Sequence, residues 1–494
     1  MRILLLAFVG VLFVIACKKG FTGKPSENSA PDTHTVADTI LRSGDNRFIS
    51  QIKITWWGDD QDGFVKGFEF SFDGINWVYT TKQDSLFTLS LPAGSDTANF
   101  KFQVRAIDNE GLKDPSPASL VYPVKNSSPR CSIFIPAGTA LFPSRNTIKT
   151  YPAFKFYWNA SDPDGDPNLD HFELFFNDTT TAPYILPASI KEAAFVAKDL
   201  LSNNPDCEVY SGTNQRLNPD IKGLKLNASN IFYVRAVDRV GAKSVAAASY
   251  TFYCKKPINK ILVVNATSPY TASKLSTFHI NMLNVGITSY DTLNAFVKNN
   301  NNYDELSPDF FTQNKALKFF DKIVWFSDND SVSLSFAQRS LGEFLSNNGR
   351  IFMAINFSQF FYEQSALLDF TPVKELIPDT MGIFRMNSSA ALKPMIAGYP
   401  TLKATSIISS ARPFLKSIDN GSSKFVDVYQ GDLIVSTTSG PVSWSGPSVV
   451  CAKRTDANTN QTNFIFISVP LDRLNGNNNM DSLFRKALVQ ELGF

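Results

Sequence analysis

Residues Trp56-Trp57-Gly58-Asp59-Asp60-Gln61-Asp62-Gly63, WWGDDQDG, decide how the first half of this chain is read. Ahead of them Ile52, Ile54 and Trp56 alternate with polar residues, and behind them Phe68, Phe70 and Phe72 do the same. That two-residue period belongs to strands buried on one face. Between such strands Asp-x-Asp-Gly is turn chemistry. The Asp side chains accept hydrogen bonds from nearby backbone, and Gly accepts positive φ. The stretch then recurs as Trp158-Asn159-Ala160-Ser161-Asp162-Pro163-Asp164-Gly165. A Phe-Glu-apolar step follows each copy, at Phe68-Glu69-Phe70 and Phe172-Glu173-Leu174. Further on, Phe102-Gln103-Val104-Arg105-Ala106-Ile107-Asp108-Asn109-Glu110-Gly111 is matched by Phe232-Tyr233-Val234-Arg235-Ala236-Val237-Asp238-Arg239-Val240-Gly241. A repeat of this kind marks tandem modules.

The repeated segments resemble fibronectin type III and related immunoglobulin-like modules of bacterial surface proteins. In those modules W-x-x-x-D-x-D-G and V-R-A-x-D-x-x-G punctuate the early and late strands. The resemblance implies two all-β sandwiches, at residues 30–126 and 127–257. The second carries an insertion around Ala182 to Gly223, with a helical stretch expected near Ala188 to Leu201. The carboxylates Asp60, Asp62, Asp162, Asp164 and Asp166 raise a cation-binding reading, because clustered acids suit a hard cation. The EF-hand spacing with its terminal Glu is missing, so the turn reading is preferred and no metal or cofactor is assigned.

The first residues give an address. A basic Met1-Arg2 precedes an apolar and small run from Ile3 to Ala16, too short to span a bilayer and suited to a secretory signal. Val14-Ile15-Ala16-Cys17 resembles the bacterial lipobox. That resemblance implies cleavage after residue 16, lipid on Cys17, and a membrane-anchored protein of the cell envelope, expected at the outer membrane. Residues 17–29 read as a flexible polar tether. Cys131, Cys207, Cys254 and Cys451 leave disulfide pairing open between Cys207–Cys254, Cys131–Cys254 and free thiols. Asp followed by Ser or Thr recurs at Asp38, Asp84, Asp96, Asp178, Asp291, Asp330, Asp379 and Asp481. With the residue after it, the tripeptide resembles the O-glycosylation acceptor of Bacteroidetes exported proteins.

From Ile261 the pattern changes. Ile261-Leu262-Val263-Val264 is a continuous apolar run, as in a parallel strand buried on both faces. Helical spacing follows from Ala272 to Leu283, then a strand at Ile287 to Tyr290, a strand at Lys322 to Phe326 and helical spacing from Phe336 to Leu345. Asn347 to Ser358 reads as a helix end, a turn and a buried strand, Phe464 to Ile467 as a further strand, and Asp481 to Leu492 as a closing helix. Lys424 to Tyr429 and Ser448 to Lys453 read as added strands. This part, residues 258–494, resembles the flavodoxin-like family that includes class I glutamine amidotransferase-like domains. The resemblance implies a doubly wound α/β domain with ligands outside the carboxyl ends of its strands.

The chemistry of that family is missing. Around the position of its catalytic Cys stand Asn356-Phe357-Ser358-Gln359, and the three histidines of the chain are His34, His171 and His279. No nucleophile–His–acid triad can follow in that order. Asp328 and Asp330, just after a strand end, are the carboxylates a hydrolase or glycan-active enzyme would use. Phe357 and Trp444 are the aromatic candidates for a binding contact, Trp444 because it stands in a Gly/Ser/Pro loop. With 47 basic and 45 acidic residues, no basic excess points to nucleic acid. The reading that follows is an envelope lipoprotein, non-enzymatic, with β-sandwich spacers presenting a catalytically degenerate domain to a protein or glycan. The alternative is an enzyme using Asp328 and Asp330.

Overall fold

The computed structural model describes residues 27–41, 50–89, 97–134, 148–212, 214–267, 272–294, 310–328, 330–357, 370–377, 383–437 and 439–494. Cys17, Ser358 and the signal-like start lie outside them. Two compact units are present. One comprises Met1–Pro129, Ser161–Leu169 and Asp238–Lys243, and the other Arg130–Ala160, Asp170–Val237 and Ser244–Phe494.

The first unit is built on seven strands: β1 (Asp32–Leu41), β2 (Ser50–Asp59), β3 (Val65–Ser71), β4 (Val78–Thr80), β5 (Asp84–Leu89), β6 (Thr97–Asp108) and β7 (Ala118–Lys125). They form two antiparallel sheets, β1–β2–β5 and β4–β3–β6–β7. Ile52, Ile54 and Trp56 from one sheet meet Phe68, Phe102, Val104 and Ala106 from the other in a single core. The Trp56 ring lies 5.7 Å from Phe102 and 6.5 Å from Phe68. The period-2 expectation holds in β2, which buries Ile52, Ile54 and Trp56, and in β6, which buries Phe102, Val104 and Ala106, against the facing sheet.

The second sandwich uses β8 (Arg130–Phe134), β9 (Ile148–Thr150), β10 (Ala153–Ser161), β11 (Leu169–Phe176), β12 (Tyr184–Pro187), β13 (Glu192–Ala197), β14 (Cys207–Ser211), β15 (Gln215–Ile221), β16 (Ala228–Asn230), β17 (Phe232–Asp238), β18 (Ala247–Ala248) and β19 (Phe252–Cys254). Its sheets run β15–β14–β13–β10–β8, β12–β11–β17–β18 and β16–β19–β9. Trp158, Phe172, Phe195 and Phe232 are fully buried between them. The helix expected near Ala188 to Leu201 is a strand instead. Alanines there favour a helix in isolation, but β13 is buried on both faces, and burial overrides propensity. Phe195 faces the aromatic cluster of the sandwich, while Ala194 and Val196 join a core shared with the next sheet. Cys131, Cys207, Cys254 and Cys451 are free thiols.

That next sheet has nine strands. β20 (Ile261–Ala266), β21 (Asp291–Asn294), β22 (Lys322–Ser327), β23 (Arg350–Ile355) and β33 (Thr462–Ile467) pair in parallel, in the order β21–β20–β22–β23–β33. Four antiparallel strands extend it: β32 (Val449–Asp456), β29 (Ser423–Gly431), β26 (Ala391–Pro394) and β27 (Leu402–Lys403). Two smaller antiparallel sheets accompany it, β24 (Val373–Leu376) with β28 (Phe414–Lys416), and β25 (Ile383–Arg385) with β30 (Ile434–Thr437) and β31 (Gly440–Ser443). The helices are α1 (Ala272–Asn284), α2 (Phe310–Leu317), α3 (Asp330–Ser340), α4 (Gly342–Ser346) and α5 (Met480–Phe484), the last continued by a π-helical turn at Arg485–Glu491. None among the described residues is long and apolar enough to cross a membrane.

The expectation of a doubly wound, flavodoxin-like α/β domain over residues 258–494 is therefore corrected. Strand makes up 48% of the protein and helix 12%, and no large doubly wound domain is present. The apolar runs do form strands buried on both faces: Ile261, Val263 and Val324 enter one core, Leu262, Val264 and Ile323 the other. What such a run does not report is what covers it. Here Tyr151, Ala153, Ala194, Val196 and Tyr210 of the second sandwich cover part of one face, where a doubly wound fold would place helices.

Candidate functional site

The turn loops themselves hold the most unusual chemistry. In the first copy, Asp60 and Asp62 follow the end of β2, and Asp108 closes β6. The chain ahead of the sandwich comes to them. Asn28 donates through Nδ2 to Asp108 Oδ2 at 2.6 Å, and the Ser29 amide donates to Asp62 Oδ2 at 2.9 Å. Asn109 Oδ1 accepts from the Phe64 amide at 3.0 Å. A Cβ at Gly63 would lie 2.2 Å from Asn109 Oδ1 and 2.6 Å from Asp60 Oδ2, so only glycine lets the loop close over this pocket. Within it, both carboxylate oxygens of Asp60 are shielded from water, and the Asp62 amide, the backbone donor beside them, does not reach good hydrogen-bond geometry. Burial and the neighbouring Asp62 side chain push its carboxyl up. For Asp108 burial pushes the same way, but hydrogen bonds from Asn28 and the amides of Leu112 and Glu110 outweigh it and hold the carboxyl low.

The second copy repeats the plan residue by residue. Asn126 donates to Asp238 Oδ2 at 2.6 Å, and the Ser127 amide donates to Asp164 Oδ2. Asp238 Oδ1 accepts from the Ala242 amide at 2.8 Å, as Asp108 Oδ1 accepts from Leu112 at 2.9 Å. Asp162 departs from its counterpart Asp60. Its Oδ1 accepts from the Asp164 amide at 2.8 Å, and Asn168 reaches its Oδ2 at 3.5 Å. Burial, with Asp164 and Asp238 nearby, still pushes the Asp162 carboxyl up to about 6.

Carboxylates, an Asn side chain and nearby backbone oxygens are the ligand set of a hard cation. Among the described residues no three Asp, Glu, His or Cys side chains gather as a metal cluster by themselves. A cation here would draw on Asn28 and at most two of the carboxylates Asp60, Asp62 and Asp108, with water completing its shell. The turn reading from sequence describes Asp162 well. It does not account for Asp60, whose carboxylate a turn would satisfy. The one sequence signal passed over is the Asn-Ser pair at residues 28–29 and 126–127, which precedes both loops.

The residues singled out from the C-terminal pattern sit elsewhere. Phe357 is 1% exposed and packs in the core against Phe466, so it offers no surface. Trp444 is half-buried, edge-on to Phe384 at 5.1 Å, and its Nε1 donates to Pro447 O at 2.9 Å. Its Gly/Ser/Pro loop wraps the indole, and a Cβ at Gly446 would meet the ring at 2.3 Å. Asp328 is partly exposed beyond β22, and Asp330 begins α3, its side chain outside the described set. The crevice outside the carboxyl ends of the parallel strands encloses about 20 Å³, room for a single water. Phe278, Phe326 and Leu471 line it with Thr267, Ser327 and Asn356, and Asp472 is the carboxylate among its described lining residues. Among the described residues no pair of acids converges there.

No protein-family model matches this chain, and no curated protein does. Among solved structures, 77 chains match. The fibronectin(III)-like modules of Clostridium thermocellum CbhA are 14% identical, over 45% of this chain and 94% of that one, at a TM-score of 0.16. The PKD1 domain of Vibrio anguillarum Epp is 14% identical, over 20% of this chain and 98% of that one, at 0.15. A Ca2+-stabilized adhesin with which an Antarctic bacterium binds ice is 9% identical, over 86% of this chain and 74% of that one, at 0.18. At such identities and scores the sandwich fold rests on the strand pairing itself.

Proposed function

We propose that this chain is a non-enzymatic envelope lipoprotein, anchored through lipid on Cys17, whose β-sandwiches form a spacer set by a hard divalent cation and present a binding surface to a protein or glycan. The observation that carries the cation is the pair of water-shielded Asp60 oxygens. A carboxylate shielded from water without a well-formed hydrogen bond costs free energy, and the loosely placed Asp62 amide offsets that cost only in part. A calcium-sized ion beside Asp60, Asp62, Asp108 and Asn28 would supply the missing charge. The same pocket holds the Asn28-Ser29 segment, so filling it would fix the chain just ahead of the sandwich.

Thermal unfolding with EDTA and then with millimolar Ca2+ tests this. Ligand binding to the folded state raises the midpoint by mass action. The midpoint should rise with Ca2+ in the wild type and rise much less in Asp60→Asn. An unchanged midpoint in the wild type sinks the cation. For the anchor, inhibition of signal peptidase II should leave the uncleaved precursor in cells. Normal maturation under the inhibitor refutes lipid on Cys17.

A further inference from the structure

The outer face of β1–β2 carries two rings that the fold does not require. Trp57 is 43% exposed, and His34 stands directly across from it in the strand register. Their ring centroids are 5.4 Å apart with planes tilted by 32°. Asp32 and Asp59, also register partners, each bring Oδ2 to 3.6 Å from His34 Nε2. Both carboxylates remain largely exposed, at 72% and 78% of their side-chain surface. The repeat supplies an internal control. Trp56 and Trp158 are both core residues, whereas the place of Trp57 is taken by Asn159 in the second copy and that of Asp59 by Ser161. A sandwich of this kind therefore folds without the indole and without the acid.

An exposed indole is an apolar plate with a polar edge. Flanked by carboxylates that accept strong hydrogen bonds, it matches a ligand with one apolar face and a rim of hydroxyl donors. A pyranose ring has that shape. Two acids beside the plate repel an anionic saccharide, which leaves a neutral one. We propose that this face binds the ring of a neutral sugar, stacked on Trp57 with His34 at its side and its hydroxyls donating to Asp32 and Asp59. The proposal rests on the binding role above and gives that role a place and a ligand class.

The test is affinity gel electrophoresis of the full chain in gels containing soluble glucan, mannan, galactan or xylan. Wild type should be retarded by at least one of them. Trp57→Asn, which installs what the second copy carries, should keep its unfolding midpoint and weaken retardation at least tenfold. Retardation that survives Trp57→Asn would overturn this surface while leaving a glycan-binding role standing. No retardation in any of the four gels would overturn the proposal outright.

Discussion

The two copies of the module keep the same skeleton and treat the same acid differently. Asp162 accepts a well-formed hydrogen bond from the Asp164 amide and a long one from Asn168, whereas Asp60 has only the loosely placed Asp62 amide. The loop of the second copy is one turn richer, with Asp166–Asn168 forming a short 3-10 segment that delivers the amide. The first copy closes at Gly63 and has no such segment. One pocket is thus completed by its own chain, and the other is left to be completed by something else. Duplication made this visible, since a single copy would have looked like an ordinary turn.

The comparison can be broken at several points. The largest effect is expected where the copies agree. Trp56→Ala and Trp158→Ala should each cost ~3–5 kcal/mol in urea unfolding, the usual loss for a buried aromatic. A much smaller cost at Trp56 would mean that the first core is looser than its burial implies. Next comes the Glu–Arg pair, Glu69 with Arg105 at 2.7 Å and Glu173 with Arg235 at 2.5 Å. Glu173 is the more buried, so removing it leaves Arg235 uncompensated. Glu173→Ala should destabilise by about 3 kcal/mol and Glu69→Ala by distinctly less, because Glu69 is the more exposed acid and Lys113, one of its two partners, stays half-solvated.

Smallest, and most specific to the pockets, is the pH response in EDTA. The folded-state value of Asp162, about 6, lies above its unfolded value, so the folded chain takes up a proton that the unfolded chain does not. Stability should therefore rise as pH falls from 7 towards 5 and be lost as pH climbs back through 6. Asp162→Asn should flatten that slope in denaturant titrations. If the slope persists in Asp162→Asn and vanishes in Asp60→Asn, the first pocket controls the titration and the ranking of the two acids is reversed.

How much of this could be read beforehand varies with the physics. Alternation around Trp56 and Trp158 announced the sandwiches, because a half-buried strand must alternate. The apolar runs at Ile261 and Ile351 announced strands covered on both faces, which they are. Neither the partner's direction nor the identity of the cover is written in such a run, and so Lys424 to Tyr429 and Ser448 to Lys453 read as strands without revealing that they pair antiparallel within the same sheet. At β13 the alanines pointed to helix, and burial between two cores decided otherwise. The Asn-Ser pairs were invisible because two common polar residues carry no periodicity. Their meaning lies in where the chain brings them. Trp444 looked free by its neighbours in sequence, yet those small residues are what let the loop wrap its ring.

One consequence of the sheet order concerns time. β33 is the last strand in sequence, yet it lies at the middle of the nine, with β23 on one side and β32 on the other. Its parallel pairing with β23 joins Phe464 to Ile351. Until Thr462–Ile467 has been made and released, the parallel and antiparallel halves have no common seam, and each exposes an open apolar edge. Closing the sheet therefore waits on pairing between segments more than a hundred residues apart, which makes it a late event in folding.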